Sequence, residues 1–185
     1  MQKNRLYRLI DSALEANERV LVAIDGDAAA GKSTLAAELK RAYDCNVIHM
    51  DDFFLPPNLR TQSRAAEPGG NVDYERFKKE ALEPLLAGQA FAFRPFDCGI
   101  WDFGEEIAIS PGRLTIVEGA YSMHPTLVHA YDIKIFVKID PAEQMRRIEA
   151  RNGPEAAEKF RDIWIPMEKR YQVEFSIEAD CDLVL

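Results

Sequence analysis

The sequence has little of what would mark a secreted, membrane-spanning or nucleic-acid-binding chain. It holds only three cysteines, Cys45, Cys98 and Cys181, far apart and odd in number. No Cys-x-x-Cys pair occurs, so neither a zinc site nor a disulfide framework is suggested, and reduced thiols in a cytoplasmic protein are the expectation. No run approaches the roughly 18 to 20 apolar residues that span a bilayer. The opening stretch, Met1 to Asn17, mixes charge with apolar residues and lacks the apolar core of a signal peptide. Positive charge is in deficit. The formal net charge of -8 argues against general nucleic-acid binding, which needs a basic face to displace counterions, but it is compatible with a local basic pocket. Repeats, low-complexity tracts and linkers are also missing. A single domain over residues 1–185 is therefore expected, and with 47% hydrophobic residues it can build one core.

What is present alternates between two periods. Leu6, Leu9, Ile10, Ala13 and Leu14 recur with helical spacing. Val20 to Ile24 is a continuous apolar run of the kind found in strands buried on both faces. A Gly-rich stretch follows, then a helix over Ser33–Tyr43 and a second strand over Asn46–Met50. Leu55–Gly70, with three prolines and a Gly pair, reads as a mobile loop. Tyr74–Leu86 reads as helix, and Ala90–Phe96 with Glu106–Ile109 as extended arms around a turn. Arg113–Val117 and Ile133–Ile139 read as strands and Pro141–Arg151 as helix. Glu155–Phe175 reads as mostly helix, interrupted or kinked at Pro166, and Cys181–Leu185 as a last strand. Strands alternating with helices imply an α/β fold with a mostly parallel sheet.

The most informative segment is Gly26-Asp27-Ala28-Ala29-Ala30-Gly31-Lys32-Ser33, followed by Thr34. It fits G-x-x-x-x-G-K-[ST] and stands between an expected buried strand and an expected helix. Small residues let backbone N–H groups wrap phosphates, and the helix N-terminus adds partial positive charge. Lys32 is placed to reach the outer phosphates of ATP, and the Ser33 hydroxyl to hold Mg2+. Ala28 stands where a dinucleotide fingerprint would need glycine. Val22-Ala23-Ile24-Asp25 and Asp102-Phe103-Gly104 echo protein-kinase signatures, but the lysine of the first and a His-Arg-Asp loop are missing. Phe103 is expected to pack beside a turn.

Carboxylates follow two of the expected strands. Asp51 and Asp52 come just after Val47-Ile48, and Glu118 just after Ile116-Val117. In a parallel sheet those positions share the edge that carries the phosphate loop. A phosphoryl transferase needs a base for the acceptor hydroxyl and oxygen ligands for the metal, and these residues are the candidates. Arg147 and Arg151, four apart on one helix face, offer positive charge for the transferring phosphoryl group, or else a solvated face paired with Glu143 and Glu149.

Taken in order, these motifs resemble the uridine kinase and phosphoribulokinase group of P-loop kinases over nearly the whole chain. His49-Met50-Asp51-Asp52-Phe53-Phe54 is similar to the segment bearing that group's catalytic aspartate, which falls on Asp51. Asn71-Val72-Asp73-Tyr74 is similar to a segment whose aspartate binds ribose hydroxyls, which falls on Asp73. A helix cap before Tyr74 is the other reading of Asp73. Arg94-Pro95-Phe96-Asp97 resembles the start of the base-binding hairpin. Val117-Glu118-Gly119 resembles the Glu-Gly pair that helps hold magnesium, and the Arg147–Arg151 helix resembles the arginine-bearing lid. The resemblance implies a three-layer α/β P-loop fold with a small hairpin over the acceptor site and a short helical lid. It implies Lys32, Asp51, Arg147 and Arg151 in catalysis, and Ser33, Glu118 and Asp51 near magnesium. Asp51, Phe54, Asp73, Phe96 and Trp101 would surround the acceptor.

Two departures stand out. Cys98-Gly99-Ile100-Trp101 replaces the base-contacting aromatic and histidine, and Asn152-Gly153-Pro154 shortens the lid. A nucleoside is the acceptor the resemblance implies. A vitamin precursor, a sugar or a sugar phosphate is the alternative, and a nucleotide-dependent regulatory protein a further one. Oligomeric state stays open, a homo-oligomer among the alternatives.

Overall fold

A computed structural model of the chain describes residues 2–185. The chain begins with α1 (Gln2–Ala16), β1 (Val20–Gly26), α2 (Lys32–Tyr43) and β2 (Asn46–His49). Short helices α3 (Gln62–Ala66), α4 (Tyr74–Phe77) and α5 (Glu83–Ala87) follow. A small antiparallel region comes next, formed by β3 (Phe91–Phe93), β4 (Phe96–Asp97), β5 (Asp102–Phe103) and β6 (Ile107–Ile109). The second half contains β7 (Leu114–Glu118), β8 (Ile133–Val137), α6 (Pro141–Asn152), α7 (Pro154–Lys159), α8 (Ile165–Glu174) and β9 (Leu183–Val184).

The central sheet has the order β2-β7-β1-β8-β9, and every pair in it is parallel. β1 lies in the middle with all seven of its residues buried, and such a strand needs cover on both faces. Its side chains alternate between two cores. Val20, Val22 and Ile24 pack with Leu6, Ile10, Leu35 and Leu39 from α1 and α2. Leu21 and Ala23 pack on the other face with Phe53, Phe77, Val117 and Tyr171. The result is the expected three-layer α/β architecture. The chain leaves β1 for β2 on one side, returns to β7, and crosses to β8 on the other, so the carboxyl end of β1 is the switch point where open α/β sheets bind ligands. Among the described residues no helix is long and apolar enough to cross a membrane.

The expected elements recur with small shifts, and proline explains two of the irregularities. The Tyr74–Leu86 helix is divided into α4, a wide π turn at Lys78–Leu82, and α5. The Glu155–Phe175 helix is divided likewise by a π turn at Phe160–Trp164, just before Pro166. Pro84 and Pro166 each lack an N–H, and each ring would press on the carbonyl four residues back. Widening the preceding turn relieves that pressure without breaking the helix. The Leu55–Gly70 expectation needs correction, because the segment is built of local structure. It contains a 3-10 turn at Pro57–Leu59 and α3, whose first turn is capped by Thr61 Oγ1 accepting from the Arg64 amide at 3.3 Å.

The double burial of β1 sets the stability. Ile24 has no exposed surface, and Ile24→Ala is expected to lower the unfolding free energy by about 2–5 kcal/mol. Urea titration checks this: the midpoint should fall with an unchanged slope.

Candidate active site

The phosphate loop emerges from β1 through a turn that only glycine fits. Gly26 has φ +140°, and a Cβ there would overlap the Val137 carbonyl oxygen. Gly31, at φ +103°, turns the chain into α2, whose first amides have no partner within the helix. Lys32 is buried and folds back over the loop, donating to the carbonyls of Gly26 at 2.9 Å and Asp27 at 2.8 Å. Ser33 and Thr34 are exposed at the start of α2.

Three strand ends meet beside this loop. Glu118 of β7 is in register with Ile24 of β1 and His49 of β2. Its buried carboxylate lies 2.5 Å from His49 Nδ1, and that hydrogen bond raises the His49 pKa. Asp51 and Asp52 lie on the 3-10 turn Met50–Phe53 that ends β2. Asp51 is reachable by solvent. Surrounding protein nevertheless withdraws enough water to push its carboxyl up, and Glu118 adds to the push while Lys32, His49 and Arg151 oppose it. Asp52 is pushed up by burial too, with His49 pulling against it. Gly119, φ +137°, leaves room for this turn: a Cβ there would lie 2.9 Å from Met50 Cβ.

The turn is stitched to its neighbours. The Asp73 amide donates to Phe53 O at 2.7 Å and the Leu55 amide to Asn71 O at 2.9 Å, and Phe54 bridges Val72 antiparallel. Asp51, Phe54 and Asp73 therefore lie on paired segments. Asp73 is buried and caps α4, accepting from the Arg76 amide at 2.9 Å, with Arg76 Nε 4.0 Å from its other oxygen. Arg76 also donates to Asp52 O and Arg94 O, tying the turn to the antiparallel region. There Phe96 is buried and meets Trp101 and Phe103 edge-on at 6.5 and 5.6 Å. Trp101 itself is exposed. Phe103 is a packing residue beside a turn, as its sequence context suggests.

On the lid side, Arg147 Nη1 reaches Ala29 O at 3.3 Å while its Nε pairs with Glu143 at 2.7 Å. Arg151 donates to its neighbour Asn152. Helix α8 supplies residues that sequence reasoning missed. Glu168 accepts from the Ala28 amide at 3.0 Å. Lys169 and Gln172 donate to Asp27 at 2.6 and 3.3 Å. Tyr171 donates to Asp25 at 2.9 Å, and Asp25 also accepts from the Gly26 and Met123 amides. The spacing Glu168, Tyr171, Gln172 puts these side chains on one helix face. That spacing was the available signal, but nothing in it names a partner 140 residues away.

No family model matches the chain. A cytidylate kinase from Rhodopseudomonas palustris (strain BisA53) is 30% identical to it over 155 residues, spanning 76% of this chain and 72% of that protein. The chain belongs to the P-loop kinases. Among solved structures, this P-loop kinase is similar to one described as a possible uridine kinase from Bacillus stearothermophilus, with a TM-score of 0.70 at 18% identity over 98% of this chain and 99% of that one. It is also similar to the D-glycerate 3-kinase from Cryptococcus neoformans var. grubii, with a TM-score of 0.60 at 15% identity over 89% and 86%. At those identities the likeness is one of fold, and the kinase shares its architecture with proteins named for quite different acceptors.

Glu168 gives the kinase a titration near neutrality. Burial pushes its carboxyl up to about 7, against the charge of Lys32 and the Ala28 amide, which favour ionisation. The folded state thus keeps a proton that the unfolded chain releases above about 4.5. Stability from this group is present at low pH, falls as pH rises between about 4.5 and 7, and then levels off. Glu168→Gln should remove that decline, and the Ala28 amide resonance should lose a titration centred near pH 7. Thermal unfolding across pH and amide NMR together check it.

Proposed function

We propose that this kinase transfers the terminal phosphate of ATP to a hydroxyl of a small polyhydroxy molecule, with Asp51 as the base. The observation that carries this reading is the intact phosphate loop with the Asp51 turn beside it, both at the carboxyl edge of one parallel sheet. A phosphoryl group passing between two oxygens leaves little covalent chemistry to the protein, so positioning and charge do the catalysis. Asp51 accepts the proton of the attacking hydroxyl, or orients it. Its raised pKa brings its basicity nearer to the working pH. Lys32, Arg147 and Arg151 offset charge on the transferring group. The backbone of Gly26 to Thr34 cradles the nucleotide phosphates.

The donors available to a cation here are all oxygens, from Ser33, Glu118 and Asp51, which suits Mg2+. Among the described residues no three His, Cys, Asp or Glu side chains form a metal cage. That fits a small hard ion completed by phosphates and water. When bound, magnesium neutralises phosphate charge.

Two acceptor classes follow from the residues. The nucleoside reading depends on a free Asp73 carboxylate for a ribose diol. That carboxylate already accepts from the Arg76 amide and faces the Arg76 guanidinium. The cap bond takes only part of the carboxylate's acceptor capacity, but its burial favours the second reading, a non-nucleoside polyhydroxy acceptor.

Lys32→Ala is expected to abolish turnover and weaken ATP binding, and full activity in a folded preparation would end the kinase reading. Asp51→Asn should keep ATP binding while lowering turnover about a hundredfold or more, the range for losing a general base. Asp52→Asn should lose far less, the outcome that assigns the base to Asp51 rather than to its neighbour. Acceptor-stimulated ADP release measures turnover in all three, and nucleotide titration measures ATP binding. A regulatory nucleotide-binding protein would show no such stimulation.

A further inference from the structure

The loop after Leu55 ends on a cation with no opposite charge beside it. Arg60 Nε donates to Leu55 O at 2.7 Å, which holds the side chain back over its own loop. Its guanidinium lies over the Trp101 ring, 4.9 Å from the centroid. Trp101 comes from a different element, and its φ of +56° is unfavourable for a bulky residue. Arg60 is therefore fixed from two sides by segments about forty positions apart. Cys98, on the same turn as Trp101, has its thiol pushed up by burial while Arg60 pulls it down and Asp51 adds a push. β4 packs against the Met50–Phe53 turn that carries Asp51, and its Phe96 meets Trp101, so Arg60 and the Trp101 turn lie beside the Asp51 turn.

Arg151, which also acts on Asp51 and has no carboxylate partner among the described residues, belongs to α6 beside the phosphate loop, and the other arginines around the antiparallel region are engaged. Arg64 pairs with Glu67 and Glu75, and Arg76 with Asp73 and Glu80. Arg94 donates to the carbonyls of Gly104 and Phe103. Among the described residues no carboxylate lies within 4.0 Å of Arg60. With Nε on Leu55, its two terminal nitrogens form a fork suited to a carboxylate or phosphate. The strand ends on this side carry the carboxylates of Asp51, Asp52 and Glu118, which would repel an anion. A fixed, unneutralised guanidinium is the feature that would let one enter.

Resting on the kinase reading above, we propose that Arg60, backed by Trp101, determines acceptor specificity, and that the acceptor is a polyhydroxy molecule bearing a carboxylate or a phosphate. The anion is held by the Arg60 fork while a hydroxyl is presented to Asp51. Arg60 makes no contact with the transferring phosphoryl group.

The test uses the full chain and matched pairs: D-glycerate against glycerol, and ribose 5-phosphate against ribose. ADP release should favour an anionic member over its neutral partner. Arg60→Gln should lower kcat/KM for that member by about tenfold to a hundredfold, the effect of losing a hydrogen bond to a charged group, mainly through KM. Arg60→Lys should restore part of it. The two pairs separate a carboxylate from a phosphate. A second readout needs no turnover. With only two tryptophans in the chain, Trp164→Phe leaves Trp101 as the single indole emitter. With ADP and magnesium present to occupy the phosphate loop, its fluorescence should respond saturably to a millimolar anionic member, not to its neutral partner, and Arg60→Gln should abolish the response. Equal use of both members, an anion preference that survives Arg60→Gln, or no fluorescence response to either anion overturns the proposal. ATP binding that depends on Lys32, with turnover of neutral acceptors, would sink this inference and leave the kinase reading intact.

Discussion

Crowding at the carboxyl ends of β1 and β7 governs the rest of the site. β1 runs between two parallel neighbours, and at its last residue the chain must turn against Val137 with no space for a side chain. One strand over, Gly119 turns equally sharply, and the room it leaves is taken by Met50 and Asp51. Two glycines at adjacent strand ends bring the phosphate loop and the carboxylate-bearing turn to one edge. Larger residues would force the strand ends apart, and positive φ values of this kind are ones that L side chains rarely adopt.

The second constraint is electrostatic. Asp25, Asp27 and Glu118 are buried at that edge, in a chain with a net charge of -8. Each has its own compensation. Asp25 has two amides and a tyrosine hydroxyl. Asp27 has Lys169 and Gln172, and Glu118 has His49. Buried carboxylates without such partners would be strongly destabilising. Three of these partners, Tyr171, Lys169 and Gln172, come from α8, so that helix both covers one face of the sheet and holds the phosphate loop in shape. The π turn before Pro166 sets where α8 begins, and so which of its residues face the loop.

Shared chemistry at the phosphate end contrasts with divergence at the acceptor end. The loop and its strand follow a motif common to many kinases, whereas the antiparallel region carries Cys98, Gly99, Ile100 and Trp101 where the resembled family has its base contacts. The Arg60 proposal puts acceptor choice on exposed turns held over a rigid sheet, where substitutions cost the fold little.

The phosphate loop, the buried strand before it and the alternation of strands with helices were legible from residue order, because each depends on neighbours within a few positions. Even an irregularity at Pro166 was legible, since a missing N–H acts locally. The Leu55–Gly70 segment was not. Its prolines read as loop, while its turns depend on the Thr61 cap and on pairing with Asn71–Asp73. Asp73 could be read as a ligand or a cap, and only the position of Arg76 beside it made the cap visible. Glu168, Lys169, Tyr171 and Gln172 looked like an ordinary helix surface until the fold laid them on Asp25, Asp27 and Ala28, more than 130 positions earlier. Local chemistry is written in the order of residues, but which distant charge neutralises which, and which guanidinium is left without a partner, is decided only when the sheet brings strand ends and helix faces together.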